Sequence, residues 1–374
     1  MPQTTPSTAA LVPQKPEELA PVVAAEGTSW LRWAIGLGVG ALFTWLSARS
    51  WPLGDLFGGT LAVERFQGDL AILLRKGGSV RWSVDLWALG AYAGILSVIH
   101  WLRVLRWKPL LAPYADVPVP VLNRVGAVGF MAVFLLPLRL GELARPLMLA
   151  RSTAVPFGAG LGTIALERVL DGLITTLVLY AVLIQVHPDT LARYPEVARG
   201  AWIALAVFST ALLGLTATLL QRERTLGLTR KLLGLVSPLL AEKIIGLLTA
   251  FVDGLKVLKS PWALAEFVGM SVTYWGINGV GVWLVARGCG LDIPVVAAYA
   301  MMCCLVVGMM IPNPPGSVGI FWTFLLLPAS LYGIDPNMPR TIIFALVLWV
   351  AQTVQVTVFG IWGWWADARE LKRD

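Results

Sequence analysis

Charge is scarce in this sequence. Only 14% of its 374 residues are Asp, Glu, Lys or Arg, 57% are hydrophobic, and the mean hydropathy is +0.74. A soluble domain carries about 25% charged residues, so the composition excludes an ordinary soluble enzyme and points to a polytopic membrane protein. Histidine and cysteine are almost missing too. His100 and His187 are the only histidines, and Cys289, Cys303 and Cys304 the only cysteines. Two histidines argue against a His-based metal centre. Cys303 and Cys304 are adjacent and point to different helix faces, so neither a disulfide framework nor a zinc site is read from them. No metal and no cofactor is expected. The Gly-x-x-x-x-Gly-Lys-[Ser/Thr] phosphate loop is also lacking, which removes the usual signature of a nucleotide-driven pump. The net charge of +7 is scattered over loops. That excludes a nucleic-acid face and suits contact with anionic lipid headgroups.

Residues 1–29, rich in Pro, Ala and Thr, read as a disordered tail. They lack the basic n-region and apolar core of a signal peptide, so the tail is expected to stay on the protein. Residues 30–366 read as one transmembrane domain and 367–374 as a cytoplasmic tail. Apolar runs of spanning length cover about Trp30–Trp51, Leu86–Trp107, Gly160–Val186, Ala201–Leu220, Ala263–Ala286 and Ile342–Trp365. Tryptophan marks many of their ends, as interfacial anchoring predicts.

Two further apolar regions, about 119–155 and 294–334, are broken by Pro137…Gly141…Pro146 and by Pro312-Asn313-Pro314-Pro315-Gly316-Ser317-Val318-Gly319. Irregular backbone at membrane depth is tolerated only where protein or a wet cavity satisfies it. Both regions therefore read as re-entrant or broken helical hairpins. The expected class is all-α, with about six full spans and two such hairpins.

Lys/Arg counts place the loop 222–260 and both termini inside. The loop 52–85 disagrees, because it would be external yet carries Arg65, Arg75, Lys76 and Arg81. Leucines and Val236 interleaved with Lys and Gly in 222–260 suggest an amphipathic interfacial helix, or equally an elbow between spans. His100, Arg103, Arg106 and Lys108 follow a span end and read as cations snorkelling to the inner interface.

Charges inside the apolar setting are the candidate site. Arg139, Glu142 and Arg145 lie three apart, and Glu167, Arg168 and Asp171 follow in the next apolar run. Each charge at bilayer depth costs roughly 2.5–3.5 kcal/mol, so these must pair or line a cavity. One account is a structural lattice of ion pairs. The other is that Arg139 and Arg145 bind a phosphate-bearing headgroup, held by the acids until the anion competes. Arg124 and Arg151 nearby would leave the region with a positive excess. Asn313, Gly316 and Ser317 offer a short backbone nest for a phosphate or polar headgroup, or a kink that only permits close packing.

These motifs, Arg139-Leu-Gly-Glu142-Leu-Ala-Arg145-Pro146, Leu-Glu167-Arg168-Val-Leu-Asp171-Gly172 and Pro315-Gly316-Ser317-Val318-Gly319, resemble the flippase-like membrane domain of lysylphosphatidylglycerol synthases over roughly residues 30–365. The resemblance implies translocation of an anionic, aminoacylated or lipid-linked lipid between leaflets of a bacterial cytoplasmic (inner) membrane. A membrane phospholipid or lipid-linked substrate is then the expected partner, with a homo-oligomer or a lipid-synthesis enzyme as further candidates. The aminoacyl-transferase domain of full-length synthases is not expected here. Some members carry a glutamate just after the Pro-Gly break, where this chain has Phe321-Trp322. A membrane transferase acting on a lipid carrier is the rival reading, although no Asp-x-Asp motif occurs in any loop. An accessory subunit of a lipid-synthesis enzyme is a second rival.

Overall fold

Proline and glycine set most of the helix boundaries. The computed structural model describes residues 30–234, 238–311 and 313–370. The expected tail 1–29 and residues 371–374 of the C-terminal one lie outside the described residues. In chain order the helices are α1 (Trp30–Ala48), α2 (Leu86–Leu105), α3 (Val119–Leu135), α4 (Ala144–Ser152), α5 (Phe157–Leu183), α6 (Pro195–Leu220), α7 (Arg222–Gly234), α8 (Pro238–Gly254), α9 (Pro261–Gly288), α10 (Val295–Met309), α11 (Ile320–Leu326) and α12 (Pro339–Glu370). Four of them, α6, α8, α9 and α12, open on proline, whose fixed φ and missing N–H suit a first turn.

Among the described residues three stretches are long and apolar enough to cross a membrane: Leu86–Leu111, Pro195–Leu220 and Pro339–Arg369. Helices α5 and α9 are as long, at 27 and 28 residues, but α5 carries Glu167, Arg168 and Asp171 in its middle. Helices α3 and α10 are shorter apolar helices. The chain is mostly helical.

The all-α expectation needs a correction at 52–85. Strands β1 (Thr60–Phe66), β2 (Asp69–Lys76) and β3 (Ser79–Asp85) form an antiparallel meander in that order. Its turns have positive φ at both central positions, Gln67-Gly68 and Gly77-Gly78, as tight hairpin loops require. One face buries Leu74, Trp82 and Val84, and Leu73 is buried on the other, while Trp82 Nε1 donates to the carbonyl of Leu56 at 2.9 Å. Asp85 ends the sheet and caps α2, its Oδ1 accepting from the Trp87 amide at 2.9 Å. Three cations of this segment are paired: Arg75 with Glu64 at 2.5 Å, and Lys76 and Arg81 with Asp55 at 3.1 and 3.7 Å. The hydrogen bond and charge of Lys76 hold the Asp55 carboxyl below its usual range.

Two hydrophobic cores lie at opposite ends of the bundle. One gathers Leu56, Trp82, Val197, Ile293, Ala297, Leu331 and Ile342. The other gathers Trp107, Val117, Leu122, Leu149, Val155, Leu219 and Leu255. The first broken region is rooted in the second core: α3 leaves it and α4 returns to it. Between them Leu136 is extended, at φ −83° and ψ 142°, as a residue before proline tends to be, and Pro137–Leu143 form a 3-10 turn. The other broken region is rooted in the first core, leaving by α10 and returning by α11. The two folded-back tips meet between the cores.

Helix α1 lies across both tips. A Cβ on Gly36 would stand 2.8 Å from the Pro137 side chain, and one on Gly40 would stand 2.8 Å from that of Pro314. Only glycine allows this approach. The stretch 222–260 is neither a bare elbow nor one interfacial helix. It forms α7 and α8, which pack on each other, and α8 packs along α5. The leucines and Val236 named for that amphipathic face lie outside the described side chains.

Candidate functional site

A layer of fully buried ion pairs centres on α5. Glu167 and Asp171, four residues apart, share one face of the helix and are 0% exposed. Arg106, from the end of α2, grips Asp171 with both terminal nitrogens, at 2.5 and 2.7 Å. It also reaches Glu167 at 3.1 Å and the Ser271 hydroxyl at 3.2 Å. Arg145, from α4, meets the other Glu167 oxygen at 3.0 Å, and Arg168 donates to Glu167 as well. Trp275 Nε1 completes the Asp171 shell at 3.1 Å.

Aromatic faces cover the guanidiniums. Arg145 stacks over Trp107 at 4.2 Å and Arg106 over Tyr274 at 4.5 Å, contacts that strengthen when water is excluded. The stem of Arg145 passes where a side chain on α3 would stand: a Cβ on Gly129 would lie 2.1 Å from Arg145 Cγ.

Arg139 connects the two tips. It has φ +60°, a left-handed conformation that costs a branched or long side chain of order 1–3 kcal/mol and persists only when its surroundings fix it. Its Nη1 donates to the carbonyl of Met309, at the end of α10, and its Nη2 donates to Glu142 at 2.5 Å. A helix-terminal carbonyl lacks an internal partner, and a cation there also opposes the helix dipole.

Beside this layer is a cavity of about 150 Å³. Arg103, Arg139 and Arg168 line it, and among the described residues no carboxylate does. Asn278, Asn313, Gln352 and Gln355 add neutral polar groups, and Phe130, Tyr274 and Trp275 add aromatic wall. A small adjoining void touches Arg103, Glu142, Arg145 and Arg168. Taken together, five guanidiniums (Arg103, Arg106, Arg139, Arg145 and Arg168) face three carboxylates (Glu142, Glu167 and Asp171), a surplus of two positive charges. Such a surplus favours an anion, which guanidiniums can hold by forked donors.

The sequence-derived candidates divide between layer and cavity. Arg139, Arg168 and Asn313 line the main cavity. Glu142 and Arg145 reach only the small void. Glu167 and Asp171 border neither; both sit behind the arginines and are paired with them. Gly316 and Ser317 also stay off its wall. The Gly316 carbonyl accepts from Trp349 Nε1 at 2.7 Å, and Ser317 Oγ accepts from Asn313 at 3.0 Å.

Two cations that read as interfacial anchors in the sequence lie inside the fold. Arg106 is 1% exposed and belongs to the buried layer, and Arg103, over the Phe130 ring at 4.1 Å, belongs to the cavity. Neither snorkels. Arg124 and Arg151, expected to supply the positive excess, line neither space. His100 is buried as well, with Nε2 2.8 Å from Asn123 Oδ1, whereas Lys108 is half-exposed and paired with Asp116 at 3.0 Å. Among the described residues no group of three or more His, Cys, Asp or Glu side chains is placed to hold a metal ion.

A family model described as "Lysylphosphatidylglycerol synthase TM region" matches residues 72–363. That span contains the buried layer, the cavity and both tips, but not α1. A curated protein of Haloferax volcanii named "Glycosyltransferase AglD" is 26% identical over 308 residues, covering 73% of this chain and 48% of that protein. The chain therefore spans about half the length of this curated relative. No solved structure matches the chain.

Proposed function

The chain belongs to the family of the lysylphosphatidylglycerol synthase TM region, an integral membrane protein, and from that premise we propose that it translocates a phosphate-bearing lipid between leaflets. The observation that carries this reading is the cavity wall with three arginines and no carboxylate. The headgroup enters between the two tips and is held by Arg139, Arg103 and Arg168, while the acyl chains stay in lipid. Glu142, Arg145, Glu167 and Asp171 hold the arginines in place, and Asn313 supplies a polar contact from the second tip. In this reading α3–α4 and α10–α11 are re-entrant hairpins, entering from opposite faces of the membrane. The basic segment 222–260 and both termini face the cytoplasm of a bacterial inner membrane. Movement is passive or ion-coupled.

The test is purified full-length protein in liposomes containing a tail-labelled fluorescent phosphatidylglycerol, with dithionite added outside. Protein-dependent loss of more than half the fluorescence is expected. Arg139→Gln is expected to slow it at least tenfold while the protein stays monodisperse. A rate equal to that of empty liposomes would overturn transport. The name of the AglD relative supports a second reading, transfer of a sugar to or from a lipid carrier. Consumption of a lipid-phosphate sugar donor by the same liposomes, followed by mass spectrometry, would favour it instead.

A further inference from the structure

The meander has one apolar face that the rest of the fold leaves half uncovered. Paired residues of adjacent strands point to the same side, so Leu61, Val63 and Arg65 of β1 share a face with Leu74, Ile72 and Leu70 of β2. Trp82 and Val84 of β3 continue it. The β3 side of this face is covered by the bundle, because Leu74, Trp82 and Val84 belong to the first core with Tyr92, Val285 and Ala286. The β1 side is open. Leu61, Val63 and Leu70 are 61%, 60% and 50% exposed. Large aliphatic side chains gathered on one open face mark a contact with a membrane or with another protein.

Strand register decides between the two. Ala71 pairs with Asp85, the residue that caps α2, so Leu70 and its partner Arg65 stand level with the first turn of that span. Trp87, in the same turn, is 74% exposed, as an aromatic at the membrane–water boundary is. The uncovered apolar residues thus sit where the span enters the bilayer. Charge agrees with this placement. Of the six residues that β1 and β2 place on the face, Arg65 alone is charged. Arg75, Lys76 and Arg81 are paired with acids, and Arg65 is not. A guanidinium among aliphatic side chains lays its stem along them and offers its fork to a phosphate. A second copy pairing along the open β1 edge would satisfy backbone groups and leave this face uncovered. The bilayer covers it.

We propose that this face of the meander rests on the bilayer surface, with Leu61, Val63 and Leu70 where acyl chains meet headgroups and Arg65 on the phosphate of an anionic lipid. The opposite face and the turn Gln67-Gly68 stay in water. The contact involves no transported substrate, so it stands or falls apart from translocation.

The experiment places a small environment-sensitive fluorophore on Val63→Cys, Leu70→Cys or Asp69→Cys in the full chain. Asp69 is exposed at the same level on the opposite face, and the native Cys289, Cys303 and Cys304 are buried, with wild-type protein giving the background. Each variant is reconstituted in phosphatidylcholine liposomes, with and without phosphatidylglycerol, that carry a nitroxide on the acyl chain just below the headgroup. The Val63 and Leu70 probes are expected to be quenched at least threefold more than the Asp69 probe. Phosphatidylglycerol is expected to deepen the quenching at Val63, and Arg65→Gln to abolish that increment. If Val63→Cys does not fold, Leu61→Cys replaces it. Equal quenching on both faces would overturn the proposal. Disulfide-linked dimers of Val63→Cys without lipid quenching would assign the face to a second copy and overturn it as well. Quenching indifferent to phosphatidylglycerol would overturn the Arg65 contact.

Discussion

Arg106 shows what a single residue does in this molecule. Its guanidinium is spread over Asp171, Glu167 and Ser271, at 1% exposure. Removing one partner of such a pair leaves an uncompensated buried charge, which costs about 3–5 kcal/mol. Arg106→Gln is therefore expected to lower the unfolding midpoint strongly in detergent. Adding Asp171→Asn is expected to recover at least half of the loss, because the stranded carboxylate is then gone. Arg139→Gln is expected to cost far less stability, since Arg139 and its partner Glu142 are partly exposed, at 15% and 28%. Equal losses in Arg106→Gln and Arg139→Gln would place both in one structural lattice. Arg139, Arg145 and Arg168 stand out in the sequence as charges inside apolar runs, whereas Arg103 and Arg106 do not, for a physical reason. A cation at the end of an apolar run looks like an interfacial anchor, and only the fold shows that Arg103 is stacked on Phe130 and Arg106 on Tyr274.

At the level of elements, broken helices were legible and the sheet was not. Proline fixes φ and removes a donor, so Pro137 and the Pro314-Pro315-Gly316 run announce their breaks directly. The meander had a signal too, in the Gln67-Gly68 and Gly77-Gly78 pairs between runs of alternating residues. Its charged residues masked it, because Arg65, Arg75, Lys76 and Arg81 count as topology signals before they count as one polar face. Nothing in the sequence said that α1 would cross both tips. That contact depends on two glycines of α1, which a hydropathy reading sees only as weak helix formers. Gly40→Leu forces a branched side chain into Pro314 and is expected to cost about 1–3 kcal/mol by overpacking. Amide exchange is expected to accelerate in α1 and stay unchanged in α5. Wild-type protection of α1 in that variant would show that the glycines do not seat the helix.

For the whole molecule the two cores supply an orientation test that charge counting alone could not. Lys/Arg counts place 222–260 inside but conflict at 52–85, whose cations the rule counts without regard to partners. The fold puts that segment in the same core as Val197 and Ala201, at the start of α6, and puts Leu219, at the end of α6, in the other core with Leu255. Helix α6 is 26 residues long and apolar, about 39 Å from end to end. The meander must then lie on the side of Arg193, opposite α7. Three of its cations, Arg75, Lys76 and Arg81, are paired with Glu64 and Asp55 inside a folded unit, which reduces their weight as retention signals. Single cysteines at Gln67, Arg193 and Arg230, treated with a membrane-impermeant maleimide on intact cells, are expected to label at the first two positions and not at the third. Labelling at Arg230 alone would reverse the orientation and leave the packing intact. Opposite results at Gln67 and Arg193 would contradict the packing itself, since one core ties both segments to the same end.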